Sequence, residues 1–241
     1  MTLKRSLRRV SRRLGYDVVP FDHQRHPLAR RMHLLAAHGV DLVFDIGANA
    51  GQYATELRAY GYRGRIVSFE PLSSAFAELQ ANAETDPAWK VVNVAVGDES
   101  GAAVIHVSGF SPASSFLPVL PRSVEAVPQT ATVKQETVRV ETLPTLAERF
   151  ADGRDRLFVK LDVQGFERRI LQSSHNVVRR SVGIQLEMSL VPLYQGETLI
   201  TEMLQLVEGF GFRLMSLEPG LADPASGQLL QTDAVFFREQ A

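Results

Sequence analysis

The stretch from Leu42 to Glu70 constrains this chain more than any other. It reads Leu-Val-Phe-Asp-Ile-Gly-Ala-Asn-Ala-Gly-Gln-Tyr from Leu42 to Tyr53 and reaches Arg-Ile-Val-Ser-Phe-Glu-Pro from Arg65 to Pro71. A short apolar run that stops at glycine predicts a buried parallel strand over Leu42 to Ile46. Ala50, Tyr53, Ala54, Leu57 and Tyr60 then recur at helical spacing. Gly61 and Gly64 end that helix, and Ile66 to Phe69 makes a second strand with Glu70 at its tip. A strand, a glycine turn, a helix and a strand ending in an acid form the nucleoside-binding half of a doubly wound fold.

The turn chemistry narrows the nucleoside. A dinucleotide fingerprint needs a middle glycine so that the backbone can approach a pyrophosphate. Here the turn is Gly47-Ala-Asn49-Ala-Gly51, with Asn49 in that place and Asp45 just before it. A carboxylate there repels phosphate and attracts an ammonium or sulfonium group. S-adenosylmethionine carries both cations and no phosphate, and Glu70 suits its ribose hydroxyls. The pattern favours S-adenosylmethionine over NAD. An NAD-dependent oxidoreductase and a noncatalytic nucleoside-binding protein stay open as rivals.

A chain of 241 residues, 45% of them hydrophobic, holds one sizeable core. Its net charge of -1 gives no global attraction to nucleic acid, and the absence of cysteine excludes disulfides, thiolate zinc sites and a cysteine nucleophile. No apolar run approaches the ~18 residues of a membrane span, and no secretory signal is read at the start, so the cytoplasm is the expected compartment. The exception to this neutrality is residues 1–40. Lys4, Arg5, Arg8, Arg9, Arg12 and Arg13 interleave with Leu3, Leu7, Val10 and Leu14 on one helical face. Such a helix either packs its apolar stripe on its own domain, the commoner outcome, or lies peripherally on an anionic membrane or a partner. A second helix is expected over residues 30–37. The reading therefore divides the chain into a basic helical segment, 1–40, and a cofactor-binding domain, 41–241.

Farther along, Leu72 to Ala83 predicts a helix and Val91 to Val96 a third strand, followed by Gly97-Asp98. Ligands of open α/β sheets bind at the carboxyl edge, so Asp98, or backbone near Ala95 and Val96, is expected at the adenine; a plain turn aspartate is the alternative. Ala103 to Val107 predicts an extra strand. Residues 108–129, with Pro112, Pro118, Pro121 and Pro128, read as a long loop, either a lid over an acceptor site or a surface excursion. Thr137 to Val140 resumes a strand, and a helix follows over Leu143 to Phe150. Leu157 to Leu161 is another buried strand with Asp162 at its tip, and Val182 to Leu186 the next, ending at Glu187. A helix over Thr198 to Val207 and strands over Phe212 to Leu217 and Ala234 to Phe237 complete a mostly parallel sheet whose last two strands are expected to be antiparallel.

These stretches resemble the FkbM family of class I S-adenosylmethionine-dependent methyltransferases. The likeness runs from Val43 to Tyr53 through Phe69-Glu-Pro71, Val94 to Asp98 and Leu157-Phe-Val-Lys-Leu-Asp-Val-Gln-Gly-Phe-Glu167 to the tail around Asp233. It implies a seven-stranded sheet with a reversed last strand and methylation of hydroxyl groups, often on sugars of natural products, glycolipids or polysaccharides. It also implies cofactor contacts along the shared stretches, at Tyr53, Pro71 and Ala95 beside Asp45, Gly47, Asn49, Gly51 and Glu70. Gln164 departs from the family pattern, where an acid is frequent, which puts the acceptor contacts in doubt there.

A hydroxyl is a poor nucleophile at neutral pH and needs a base or a metal that acidifies it. Asp162 is expected at the cofactor and at the chemistry, with Glu187 on the neighbouring strand as the second catalytic candidate. Together the two acids suggest Mg²⁺, a hard cation that takes oxygen ligands. His106 and His175 are weaker bases, Lys160 is read as a buried partner of an acid, and Glu167 as a helix cap, the commoner role of an acid in a first turn, or as a residue that holds the acceptor. The expected partner is a hydroxylated small molecule, not nucleic acid.

Overall fold

Leu42–Ile46 is buried at all five positions, as a strand covered on both faces must be. The computed structural model of the chain describes residues 3–239. In order the elements are α1 (Leu3–Arg13), α2 (Pro27–Ala37), β1 (Leu42–Ile46), α3 (Gln52–Ala59), β2 (Arg65–Phe69), α4 (Ser73–Ala83) and β3 (Trp89–Val92). Then come β4 (Ala95–Gly97), β5 (Gly101–Ser108), α5 (Pro121–Ala126), β6 (Thr132–Thr142), α6 (Leu143–Phe150) and β7 (Leu157–Leu161). The last are α7 (Glu167–Ser173), α8 (His175–Arg180), β8 (Gly183–Ser189), α9 (Ile200–Gly209), β9 (Phe212–Pro219) and β10 (Gln231–Arg238).

Seven strands form the main sheet in the order β3-β2-β1-β7-β8-β10-β9, and only β10 runs against its neighbours. The chain moves outward from β1 to β2 and β3, then returns to the other side of β1 with β7. That reversal opens a crevice at the carboxyl ends of β1 and β7. Leu42, Phe44 and Ile46 pack into one apolar layer with Val159 and Ile184, while Val43 faces the opposite layer with Leu57, Leu79 and Phe158. The period of two along each strand thus builds a core on both faces. Leu34 and Leu35 of α2 join the second layer, while Arg30 and His33 of the same helix hold the stretch before it through His23 and Gln24.

Three expectations change. Val91 to Val96 is not one strand: Asn93 donates its amide to the carbonyls of Glu70 and Pro71, and β4 leaves for a small second sheet, β4-β6-β5. Residues 108–129 are not structureless, because Pro112, Pro121 and Pro128 each open a helical turn, where a missing N–H costs nothing. In α1 the stripe expected to pack on the domain is exposed at Val10 and Leu14, while Arg8 and Arg12 converge on Asp17. The side chains of Leu3, Lys4, Arg5 and Leu7, on which the rest of that expectation stands, lie outside the described residues. Among the described residues no helix is long and apolar enough to cross a membrane.

Candidate active site

The β1–α3 turn is built so that it crosses the exit of β7. Gly47 adopts φ +74°, and a Cβ there would lie 1.8 Å from the Asp162 carbonyl oxygen. The N–H groups of Gly47 and Ala48 both donate to Phe69 O at 3.1 Å, tying the turn to β2. Asn49 is left-handed at φ 47°, a conformation asparagine tolerates better than most residues. Its N–H donates to Glu70 Oε2 at 2.8 Å, and Leu72 N–H donates to Oε1 at 2.9 Å. Glu70 therefore clamps two turns from the tip of β2. Burial pushes its pKa up to about 7 against the pull of those two N–H groups.

Around this turn lies a cleft of about 370 Å³, within the range of small-molecule sites. Gly47, Asn49, Tyr53, Glu70 and Pro71 line it, with Ala95 from β4 and Asp162 from β7. Val96, Ile105 and Phe116 give it an apolar wall. Three expected contacts fall elsewhere. Asp45 has no exposed surface, because register sets it between Ser68 and Lys160, with Ser68 Oγ donating to it at 3.0 Å and Lys160 Nζ 3.2 Å away. Gly51 turns its open side toward Leu79 and Trp89 and serves packing. Asp98 is paired with Arg169 at 2.7 Å, outside the cleft lining.

Lys160 is the buried partner expected for an acid. Its ammonium also lies 3.4 Å from Asp162 and donates to Gly47 O at 3.1 Å. Burial disfavours that charge, but Asp162, Asp45 and Asp233 outweigh it and raise the pKa above the ordinary lysine value. Sequence reasoning missed Arg31, Gln185 and Asp233, which also line the cleft. Arg31 is buried on α2 between Glu56 (2.8 Å) and Glu218 (3.1 Å), with its Nε unpartnered among the described residues. Its spacing from Leu28 and Leu35, on the buried face of the helix, was the available signal.

A second cavity of about 260 Å³ adjoins the first. Asp162 and Pro112 border both. Glu187 lies in the second cavity with Gln164, Tyr194 and Gln231, and Phe110, Val127 and Leu221 supply apolar wall. Gln164 Nε2 donates to Asp162 Oδ1 at 2.7 Å and to Glu187 Oε2 at 2.5 Å. Burial first, then the charges of Asp162 and Asp233, hold the Glu187 pKa well above the carboxylate range. The expected Mg²⁺ does not fit this arrangement, because an amide nitrogen, not a vacancy for an oxygen-seeking ion, stands between the two acids. Glu167 does not cap its own helix; its carboxylate accepts from Val163 and Gly165 N–H and braces the preceding turn. His106 and His175 border neither cavity.

Residues 45–214 match the methyltransferase FkbM domain. The chain belongs to the FkbM family of class I S-adenosylmethionine-dependent methyltransferases. No curated protein matches this FkbM methyltransferase. It is similar to the solved structure of an rRNA methylase from Streptococcus thermophilus, at 11% identity and a TM-score of 0.49 over 89% of this chain and 98% of that one. It is also similar to the magnesium protoporphyrin IX methyltransferase of Synechocystis with bound S-adenosylmethionine, at 10% identity and a TM-score of 0.47, over 88% and 78% of the two chains. A Burkholderia thailandensis 1,6-didemethyltoxoflavin-N1-methyltransferase gives 12% identity and a TM-score of 0.47 over 89% of this chain and 79% of that one.

Proposed function

We propose that this FkbM methyltransferase methylates a hydroxyl of a compact hydroxylated small molecule, a sugar or a glycosylated natural product, seated in the second cavity. The observation that carries this reading is that Asp162 borders both cavities, so one carboxylate faces the methyl donor and the acceptor together. S-adenosylmethionine, when bound, supplies an electrophilic methyl group and leaves as a neutral thioether. Nothing in the protein need stabilise that leaving group, so orientation carries much of the rate, with effective molarities of ~10⁵–10⁸ M attainable.

The chain's own residues divide the work. Glu70 accepts the ribose hydroxyls, the Val96–Ile105–Phe116 wall takes the adenine, and the unpartnered Nε of Arg31 suits the carboxylate of the methionine portion. Asn49 in the turn, and a Lys160 already committed to Asp45 and Asp162, leave a pyrophosphate poorly served, which disfavours NAD. Asp162 takes the proton of the acceptor hydroxyl; Lys160 and Gln164 hold it in place. Glu187, whose Oε2 accepts from both the Gln164 and Gln231 amides, shapes the cavity instead. The cytoplasm is the setting this reading expects, and exposed Val10 and Leu14 among the arginines of α1 suit peripheral contact with an anionic membrane.

The test is a mass-spectrometric screen of neutral sugars and glycosides with S-adenosylmethionine. A one-methyl mass increase on an acceptor oxygen is expected, abolished in Asp162→Asn while S-adenosylhomocysteine affinity stays within about threefold by calorimetry. Undiminished turnover in Asp162→Asn removes it as the base. Methyl transfer confined to nitrogen acceptors overturns the O-methylation reading.

A further inference from the structure

Asp162 follows the last residue of β7, and Glu187 lies inside β8, which runs on to Ser189 instead of ending at Glu187 as the sequence suggested; Leu161 and Leu186 are in register just before the two acids. Two carboxylates brought together by neighbouring strands repel unless a proton, a cation or a hydrogen-bond donor stands between them. This chain uses a donor. The two hydrogens of the Gln164 amide are spent one on each acid. The amide oxygen is fixed in the opposite direction, 2.6 Å from the Tyr194 hydroxyl that donates to it. Gln231 Nε2 adds a second donor to Glu187 Oε2 at 2.8 Å.

The backbone is committed to this placement. Gln164 is buried and left-handed at φ 54°, a rare conformation for a residue other than glycine. Ser115, from the excursion that walls the second cavity, donates its hydroxyl to the Gln164 carbonyl at 2.7 Å. The side chain is therefore held from both ends, with its nitrogen where a bridging ion would sit.

We propose that the Gln164 amide nitrogen takes the place of a divalent cation between Asp162 and Glu187, so that the wild-type site is metal-free, and that glutamate at position 164 turns it into a cation site. The substitution keeps the shape of the side chain while exchanging the amide NH2, with its two donated hydrogens, for a carboxylate oxygen, the ligand type a hard cation takes. The consequence for the acceptor rests on the second-cavity reading; the binding of metal does not, so the two fail separately.

Manganese binding, followed by electron paramagnetic resonance of free Mn²⁺ on the full chain, tests this without any acceptor. The wild type is expected to bind no stoichiometric Mn²⁺ at millimolar metal. Gln164→Glu is expected to bind one ion with a Kd of about 10⁻⁴ M or tighter, lost again when Asp162→Asn is added. A wild-type Mn²⁺ site that Asp162→Asn removes overturns the proposal. A Gln164→Glu variant that binds none, yet keeps the wild-type circular dichroism, overturns it too. Should that variant fail to fold, the wild-type titration with its Asp162→Asn control still decides.

Discussion

Glu70 is the residue whose chemistry is most exposed to measurement. Its carboxyl is buried with a pKa pushed up to about 7, so at neutral pH the free protein holds it partly protonated. If both ribose hydroxyls donate to it as proposed, two donors favour the ionised form, and the carboxyl must lose its proton when cofactor binds. The sign follows directly. Above about pH 7 the carboxylate is already present and affinity is full; below it, binding must first release the proton, and affinity falls by ~10-fold per pH unit until the ordinary carboxylate range is reached. Calorimetry with S-adenosylhomocysteine between about pH 5.5 and 8.5 is expected to show this slope, and Glu70→Gln to bind more weakly with the slope gone. A flat wild-type profile would show that Glu70 does not meet the ribose. The place of Glu70 at the cleft was legible in the sequence, because an acid closing the second strand falls at the carboxyl edge; its hold on the Asn49 and Leu72 N–H groups was not. Arg31 was not, since the acids that allow its burial, Glu56 and Glu218, sit far away in the chain. Asp45 was legible as a strand-tip acid but misread as a cleft wall, because only the register with Ser68 and Lys160 reveals which way it faces.

At the scale of elements, the β1–α3 turn is the part with least freedom. Replacing Gly47 with alanine sets a methyl carbon on the Asp162 carbonyl oxygen and forces a left-handed φ on a residue with a Cβ. The conformation alone costs ~1–2 kcal/mol, and the overlap parts β1 from the exit of β7. A total loss of at least about 4 kcal/mol is expected by urea denaturation, against ~1 kcal/mol for the control Gly61→Ala, where φ is +97° but nothing lies within 4 Å. Equal losses in the two variants would mean that the turn yields to the clash. The same contrast explains which elements the sequence disclosed. Strands buried on both faces, such as Leu42–Ile46 and Leu157–Leu161, announce themselves as short apolar runs. The break after Val92 does not, because it depends on Asn93 reaching the carbonyls of Glu70 and Pro71, a contact no local pattern encodes.

At the scale of the molecule, the segment between β5 and β6 joins parts that the sheet topology keeps apart. Ser111 Oγ accepts from the Asn49 amide at 2.8 Å in the cofactor turn, and Ser115 reaches the Gln164 carbonyl after β7. Leu120 N–H donates to Leu193 O, Gln195 N–H to Pro118 O, and Arg122 to the Gln228 side chain beyond β9. The segment roofs both cavities through two isolated β-bridges, Val119 to Tyr194 and Ser115 to His106, and scattered side-chain bonds rather than a continuous strand ladder, an arrangement suited to local opening. Acceptor entry requires such opening, whereas methyl transfer benefits from excluded water. Ser111, Pro112 and Phe116 line the first cavity, so a cofactor seated there as proposed would add contacts that only the closed form makes and is expected to shift the segment toward closure. Arg122 is exposed in this segment and offers a cleavage site. Limited trypsinolysis is expected to cut after Arg122 several-fold more slowly with S-adenosylhomocysteine than without it, since cleavage follows the population of the open form. Equal rates with and without the nucleoside would make the segment a fixed wall, and acceptors would then have to enter past the Leu221 side of the second cavity.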